Sequence, residues 1–305
     1  MYSENLTHDL GIFFRAVVTN QIARFSPKLY VKLTDQTGRG RDEREPLQTA
    51  NYFLECFHDY RRQLGLSEGE MENYLRGKWI LEYGPGDILG VAILFYAYGA
   101  QNVHCVDRFP LAKLTEKNIQ VYLCLCDQLQ GARRKRAESV FKTHGVPESG
   151  FNQNMISYSV TKNGLSRRDR QYDMIVSRAV LEHVNDLKET FVDIKKSLKP
   201  EGVSIHKVDL KSHGLDRYTE FDFLTWPKSI YWLMYGFKGF PNRWRINTYR
   251  EAARECRLKI KRCIPTDKAD QAGLKKISPF LATEFRDLTP EELSWRSFWI
   301  HLAHM

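Results

Sequence analysis

Leu81-Glu-Tyr-Gly84-Pro-Gly86-Asp-Ile-Leu-Gly90 stands between a short apolar run, Trp79-Ile-Leu81, and a longer one, Ile88–Tyr98. The first run has the length of a buried strand. The second, closed by Gly99, has the length of a helix, so the glycines between them mark a strand-to-helix turn. Asn102-Val-His-Cys-Val-Asp107 follows as a second strand. Strand, helix and strand in so short a span form the βαβ unit of a parallel sheet.

Working outward, the same alternation continues downstream. A long helical segment is expected at 111–143, a weaker strand at 155–160 and a fourth strand at Tyr172–Ser177. A helix capped by Asp186 with Glu189 runs to Lys199-Pro-Glu-Gly202 and leads into a fifth strand, Val203–Asp209. After an aromatic-rich break come a helix at 248–256, a strand at Leu258–Ile264, a helix begun at Thr289-Pro290 and a last strand at Trp299–Ala303. Upstream, the polar break Thr34–Pro46 reads as a loop. A helix over 47–63 follows it, then one opened by the capping box of Ser67 and Glu70 and stopped at Gly77. The pattern predicts a doubly wound α/β fold with a mostly parallel seven-stranded sheet. Residues 1–77 are a helical N-terminal extension, 78–213 the core, 214–247 a cap inserted after the fifth strand, and 248–305 the end of the core sheet.

Glycines at 84 and 86 let backbone approach a ligand closely, and Asp107 at the tip of the second strand can accept both hydroxyls of a ribose. A nicotinamide dinucleotide turn needs G-x-G-x-x-G, yet the third position counted from Gly84 is Leu89. Glu82 repels a pyrophosphate but suits a ligand carrying an ammonium and a sulfonium. That ligand is S-adenosylmethionine.

With these residues in place, the chain resembles the class I S-adenosylmethionine-dependent methyltransferases over about 78–210. The phrases that carry the resemblance are Glu82-Tyr-Gly-Pro-Gly86, Gly99–Asp107, Tyr172-Asp-Met-Ile-Val-Ser-Arg-Ala-Val-Leu-Glu-His183-Val and Leu198-Lys-Pro-Glu-Gly202. The resemblance implies a Rossmann-like fold and S-adenosylmethionine as cofactor. It places Glu82, Tyr83, Gly84, Pro85 and Gly86 on the methionine part, and Asp107 with Arg108 on the ribose. Tyr158 and Ser159 then fall beside the adenine, with Ser177 and Arg178 at the end of the fourth strand. Asp87 departs from the third glycine often found in this loop.

Methyl transfer to a hydroxyl requires alignment and a base. His183, His206, Asp209 and His213 all fall at or after carboxyl ends of strands, where α/β sites form. Histidine titrates near neutrality, so His206 or His213 is the expected base, with Asp209 as an orienting group and His183 as a further candidate. His206, Asp209 and His213 also have the composition of a metal set, but strand alternation puts His206 and Asp209 on opposite faces, and no metal is expected. In the cap, Trp226 and Tyr231 could stack on a sugar or flat ring while Arg243 and Arg245 hold phosphate or carboxylate; packing on the sheet is the plainer alternative.

Composition narrows the partners. The chain is 305 residues long, 42% hydrophobic and 27% charged, with a net charge of +9. That is globular usage with a surface that attracts anions. Six cysteines without a C-x-x-C pair argue for reduced thiols, and neither a spanning run nor a secretory leader is legible, so a cytoplasmic protein is expected. The expected reaction is O-methylation of a small molecule or glycan, possible anionic character in the acceptor being matched by the basic balance. RNA methylation is the second reading, opposed by a fourth strand that ends Ser177-Arg-Ala-Val instead of an Asn/Asp-Pro-Pro-aromatic phrase. A cofactor-binding regulator without turnover is the third. Arg133-Arg-Lys-Arg136 reads as a solvated helix face.

Overall fold

A computed structural model describes residues 6–34, 45–212, 220–239 and 243–305. The candidate base His213, Asn242 and the polar loop at 35–44 lie outside the described residues. Four helices come first: α1 (Leu6–Phe25), α2 (Pro27–Thr34), α3 (Pro46–Leu64) and α4 (Glu68–Leu75). The capping box of α4 forms as the sequence requires, Ser67 Oγ accepting from Glu70 N–H and Glu70 Oε2 from Ser67 N–H. Then come β1 (Trp79–Tyr83), α5 (Gly90–Ala97), β2 (Asn102–Asp107), α6 (Glu116–Asp127) and α7 (Gly131–Ser139). The strands β3 (Phe141–Thr143), β4 (Val146–Phe151), β5 (Ile156–Val160) and β6 (Tyr172–Arg178) follow. The chain continues through α8 (Leu187–Ser197), β7 (Leu198–Asp209), α9 (Lys228–Tyr235), α10 (Ile246–Glu255), β8 (Leu258–Lys268), α11 (Gln271–Ile277), α12 (Pro290–Ser294) and β9 (Trp295–His304).

Seven strands form one sheet in the order β5-β2-β1-β6-β7-β9-β8. The pairs β1–β2, β1–β6 and β2–β5 are parallel, with Glu82 opposite Cys105 on one side and Val176 on the other. The order reverses at β1, between β2 and β6, which is the switch point of a doubly wound sheet. This is the doubly wound α/β architecture that the alternation predicts.

Local details depart from the sequence reading. The single helix expected at 111–143 is two helices and the start of a β3–β4 hairpin. Phe141 leaves the helical path because its ring packs on Phe151 and Tyr122, centroids 5.4 and 6.0 Å away, a tertiary contact that periodicity does not encode. Lys199-Pro-Glu-Gly202, expected to close a helix, lies within β7. Helices α1 and α2 fall within the expected helical N-terminal extension, whereas α11 is an element that the sequence reading does not place.

Contacts divide the chain into two compact units, one comprising 35–178, 192–206 and 302–305, the other 1–34, 179–191 and 207–301. In the first unit every residue of α5 is buried, which explains why Ile88–Tyr98 is apolar all round. Helix α3 buries Phe53, Cys56, Phe57 and Tyr60, positions spaced three and four apart. In the second unit Ala16, Phe221, Phe223, Leu224, Tyr231 and Met234 share one core cluster.

Gly90 leaves no room for a side chain. A Cβ there would stand 2.4–2.8 Å from ring atoms of Phe53, so α5 begins at a glycine because α3 lies against it. We expect Gly90→Ala to cost about 1–3 kcal/mol in urea unfolding. Phe53→Leu in the same background should recover part of that loss, and an additive double variant would show that the contact is not the cause.

Candidate functional site

The turn between β1 and α5 is fixed before any ligand arrives. Gly84 and Gly86 adopt φ of 61° and 81°, the left-handed region in which a side chain is strained, and Gly84 N–H donates to Val106 O at 2.8 Å. Asp87, the departure from the glycine-rich pattern, is held by α6: Asn118 Nδ2 donates to its backbone and carboxylate oxygens at 3.2 and 3.4 Å. Leu89 N–H donates to Tyr122 Oη at 3.1 Å. Asn118 and Tyr122 therefore brace the turn, a role the sequence reading did not assign, and the capping of α6 by Thr115 was the signal that could have located Asn118.

Two carboxylates flank this turn. Asp107 Oδ1 accepts from Arg108 N–H at 2.7 Å and Phe109 N–H at 3.3 Å, whereas its buried Oδ2 has no hydrogen-bond partner among the described residues. A buried polar atom short of hydrogen bonds is costly, and beyond Arg108 and Phe109 it is the backbone N–H of Gly86, in the turn itself, that acts on this carboxylate. Glu82 is buried as well, with the Cys105 thiol donating to its Oε2 at 3.6 Å. Desolvation pushes Glu82 up to about 8, with the Asp107 charge adding to the rise, and pushes Asp107 up to about 6. The pair fits S-adenosylmethionine: an orphan acceptor for a ribose hydroxyl, and a carboxyl that a cation would return to its ionised form.

The remaining residues expected on the cofactor are placed as follows. Tyr83 Oη donates to Asp193 Oδ2, which also accepts from Ser166 N–H at 2.7 Å, so Tyr83 ties β1 to α8. Pro85 is buried between the two glycines, and the guanidinium of Arg108 lies over the Phe109 ring at 4.8 Å. Tyr158 Oη donates to Phe109 O at 2.9 Å and accepts from Leu111 N–H at 3.1 Å, holding the segment after β2. Ser159 Oγ bonds His104 Nε2 at 2.8 Å. Arg178 pairs with Asp59 at 2.7 Å. A separate polar cavity of about 230 Å³, lined by Trp79, Asn102, His104, Arg168 and Tyr172, lies at the amino ends of these strands, the edge opposite the turn.

The candidate bases separate by burial. His206 is fully buried, with Nδ1 bonded to Ser177 Oγ at 2.7 Å and Nε2 to Ser204 Oγ at 2.5 Å. This corrects the expectation for His206: an imidazole with both nitrogens engaged by hydroxyls inside a strand has no nitrogen to offer an acceptor. In the second unit, His183 closes a short 3-10 helix, Leu181–His183, and is half-buried. Its neighbour Glu182 is fully buried, accepts from Asp209 N–H at 3.2 Å through Oε1, and has its carboxyl held well above the usual range by desolvation. Asp209 ends β7 and accepts from Lys211 N–H at 3.0 Å. Among the described residues no group of three His, Cys, Asp or Glu is arranged to hold a metal ion.

The cap arginines also require correction. Arg243 donates to Phe223 O, Trp226 O and Glu284, and stacks on Tyr231 at 4.4 Å. Arg245 is fully buried and donates to Leu210 O at 3.2 Å, Leu293 O at 3.0 Å and Trp295 O. Both guanidinium groups are buried and their terminal nitrogens donate to the unit's own carbonyls and carboxylate, so neither is an open anion clamp. Tyr231 is buried in the core cluster and Trp226 packs against it, the plainer of their two readings. In the basic run, Arg133 pairs with Glu68 and Glu72 at 2.6 and 3.2 Å, Arg134 with Glu138 at 2.8 Å, and Arg136 donates to Tyr96 O and Ala100 O.

Comparison with known proteins places the chain in context. A family model described as a methyltransferase domain matches residues 49–260. Among solved structures, an S-adenosylmethionine-dependent methyltransferase from Mesorhizobium loti is similar at 15% identity, covering 75% of this chain and 91% of that one, TM-score 0.41. The YcgJ protein of Bacillus subtilis is similar at 15% identity, covering 78% and 97%, TM-score 0.39. The [4+2]-cyclase SpnF is similar at 13% identity, covering 77% of each chain, TM-score 0.40. No curated protein matches.

The two raised carboxyls set a pH dependence. A carboxyl whose folded pKa lies above its unfolded one stabilises the fold fully below the unfolded value and loses that contribution as pH rises through the folded value. The shifts of Asp107 to about 6 and Glu82 to about 8 therefore make the ligand-free protein lose stability from about pH 4 to about pH 8. Urea midpoints across this range should fall, and Glu82→Gln should flatten the upper part of the slope. An unchanged slope in that variant would remove Glu82 as its source.

Proposed function

Since the chain belongs to the methyltransferase-domain family and uses S-adenosylmethionine, we propose that it methylates a hydroxyl group of a small-molecule or glycan acceptor, with His183 as the base. The observation that carries the donor half is the buried, unpartnered Oδ2 of Asp107 beside the Gly84-Pro-Gly86 turn. S-adenosylmethionine brings a methyl group already activated by a sulfonium. The chain's task is then binding, alignment and proton removal.

Asp107 would hold a ribose hydroxyl through Oδ2 while its Oδ1 stays on the backbone N–H groups of Arg108 and Phe109. Glu82 would receive the cationic methionine part, ionising as it does so. With the methyl group supplied by that donor, His183 would take the proton of the acceptor hydroxyl. Of the histidines proposed for this task, His183 combines partial exposure with a place just after β6, whereas His206 is sealed. His206 instead joins Ser177 of β6 to β7 as a positioning residue. The RNA reading rests on the overall basic balance, and Arg133, Arg134 and Arg136, with partners inside the chain, add no open basic patch to support it.

Calorimetric titration with S-adenosylmethionine should show binding that Asp107→Ala weakens about 10- to 100-fold, with far-ultraviolet dichroism unchanged. Run near neutrality in buffers of different ionisation enthalpy, the same titration should show proton release on binding, because Glu82 ionises. Against a panel of hydroxylated acceptors, His183→Ala should lower kcat about 100-fold or more while leaving donor affinity intact. Equal turnover by that variant would reject His183, and undiminished donor affinity in Asp107→Ala would reject the ribose assignment.

A further inference from the structure

Helix α1 is apolar on two faces. Ile12, Phe13, Ala16 and Val17 pack into the core cluster of the second unit. On another face Leu10, Phe14 and Val18 recur every fourth residue and are exposed, and Phe25 falls within the same arc of the helix. Helix α2 continues the pattern with Leu29 and Leu33. Phe14 is 61% exposed, Phe25 74% and Leu33 62%, values that leave most of each side chain in water. Helix α9 adds a third strip. Asn20 of α1 donates to Leu233 O at 2.8 Å and accepts from Phe237 N–H at 2.8 Å, and beside this joint Ile230, Trp232 and Leu233 are exposed, Trp232 by 56%.

The charges around this surface have one sign. Among the described residues the exposed charged side chains of α1, α2 and α9 are Arg15, Arg24, Lys28, Lys32 and Lys228. No exposed Asp or Glu accompanies them on these helices, and α2 and α9 contain no acidic residue at all. Scattered exposed apolar residues are ordinary, but nine of them on α1 and the two helices that pack on it, accompanied by cations and including a tryptophan, are not. Pairing of the face with itself would oppose five exposed cations with five, against one half-buried carboxylate, Asp9, from each copy among the described residues. A surface that is apolar inside and anionic at its boundary meets both features at once. No described helix is long and apolar enough to cross a membrane, which fits a contact made in the plane of the interface.

We propose that the α1–α2–α9 face docks on an anionic lipid bilayer. Phe14, Val18, Phe25 and Leu33 enter the boundary between headgroups and acyl chains, Trp232 sits at headgroup level, and Arg15, Arg24, Lys28 and Lys32 meet the lipid phosphates and carboxylates.

Flotation with vesicles tests this on the full chain. Vesicles of phosphatidylcholine with about one third phosphatidylserine should carry at least tenfold more protein than phosphatidylcholine alone, and 0.5 M salt should remove most of the difference. Trp232 emission should shift to the blue on the anionic vesicles. Phe14→Ser with Phe25→Ser should abolish flotation, and Lys28→Glu with Lys32→Glu should reduce it about tenfold. All four positions are exposed, so dichroism and donor binding should stay at wild-type values. Failure of the wild type to float, equal flotation of both double variants, or sedimentation as a stable dimer that the serine variants dissociate would overturn the proposal; the last result would assign the face to a second copy.

Discussion

Burial of two carboxyl groups at the carboxyl ends of adjacent parallel strands is the constraint around which the first unit is organised. Register puts Glu82 opposite Cys105, so among the described residues the side-chain donor that reaches Glu82 is a thiol, and the hydrogen bonds of Asp107 from Arg108 and Phe109 both fall on Oδ1. Such groups oppose folding when ionised. The first unit tolerates them because they stand next to a turn whose backbone is fixed independently, by glycine conformation and by Asn118 and Tyr122 from α6. The scaffold is ordered on its own account, and the electrostatic deficit is confined to the place where a cationic, hydroxyl-bearing donor fits.

Much of this was legible in the chain. Alternating apolar runs, the Gly84-Pro-Gly86 phrase and Asp107 identify the sheet, its switch point and the donor class, because each depends on local period or on a short fixed spacing. The histidines show where such reading stops. Carboxyl-terminal placement on a strand made His206 and His183 look alike, yet one lies between Ser177 and Ser204 and the other on a 3-10 turn. Which hydroxyls meet an imidazole across strands is a matter of register, and a single sequence does not state it.

Arg243 and Arg245 teach a related lesson about charge. A basic pair in an aromatic segment reads as an anion clamp, but both guanidinium groups donate to main-chain carbonyls at or near the ends of the unit's own elements. Arg245 alone serves Leu210, Leu293 and Trp295. Buried carbonyls need donors, and a planar fork reaches several at once. These arginines are internal cross-links whose burial no composition count could reveal.

The contact between Phe53 and Gly90 bears on where this protein can be cut. A boundary drawn at the first strand would begin a minimal fragment at Lys78, with every signature phrase intact. That fragment would lose Phe53, Phe57 and Tyr60, the rings that roof the wholly apolar α5. Phe95 and its neighbours would then face solvent directly behind the glycine turn. Deletion libraries should therefore find the tolerated N-terminal endpoint upstream of Pro46, and the conspicuous motif should prove to be a poor guide to the smallest piece that folds.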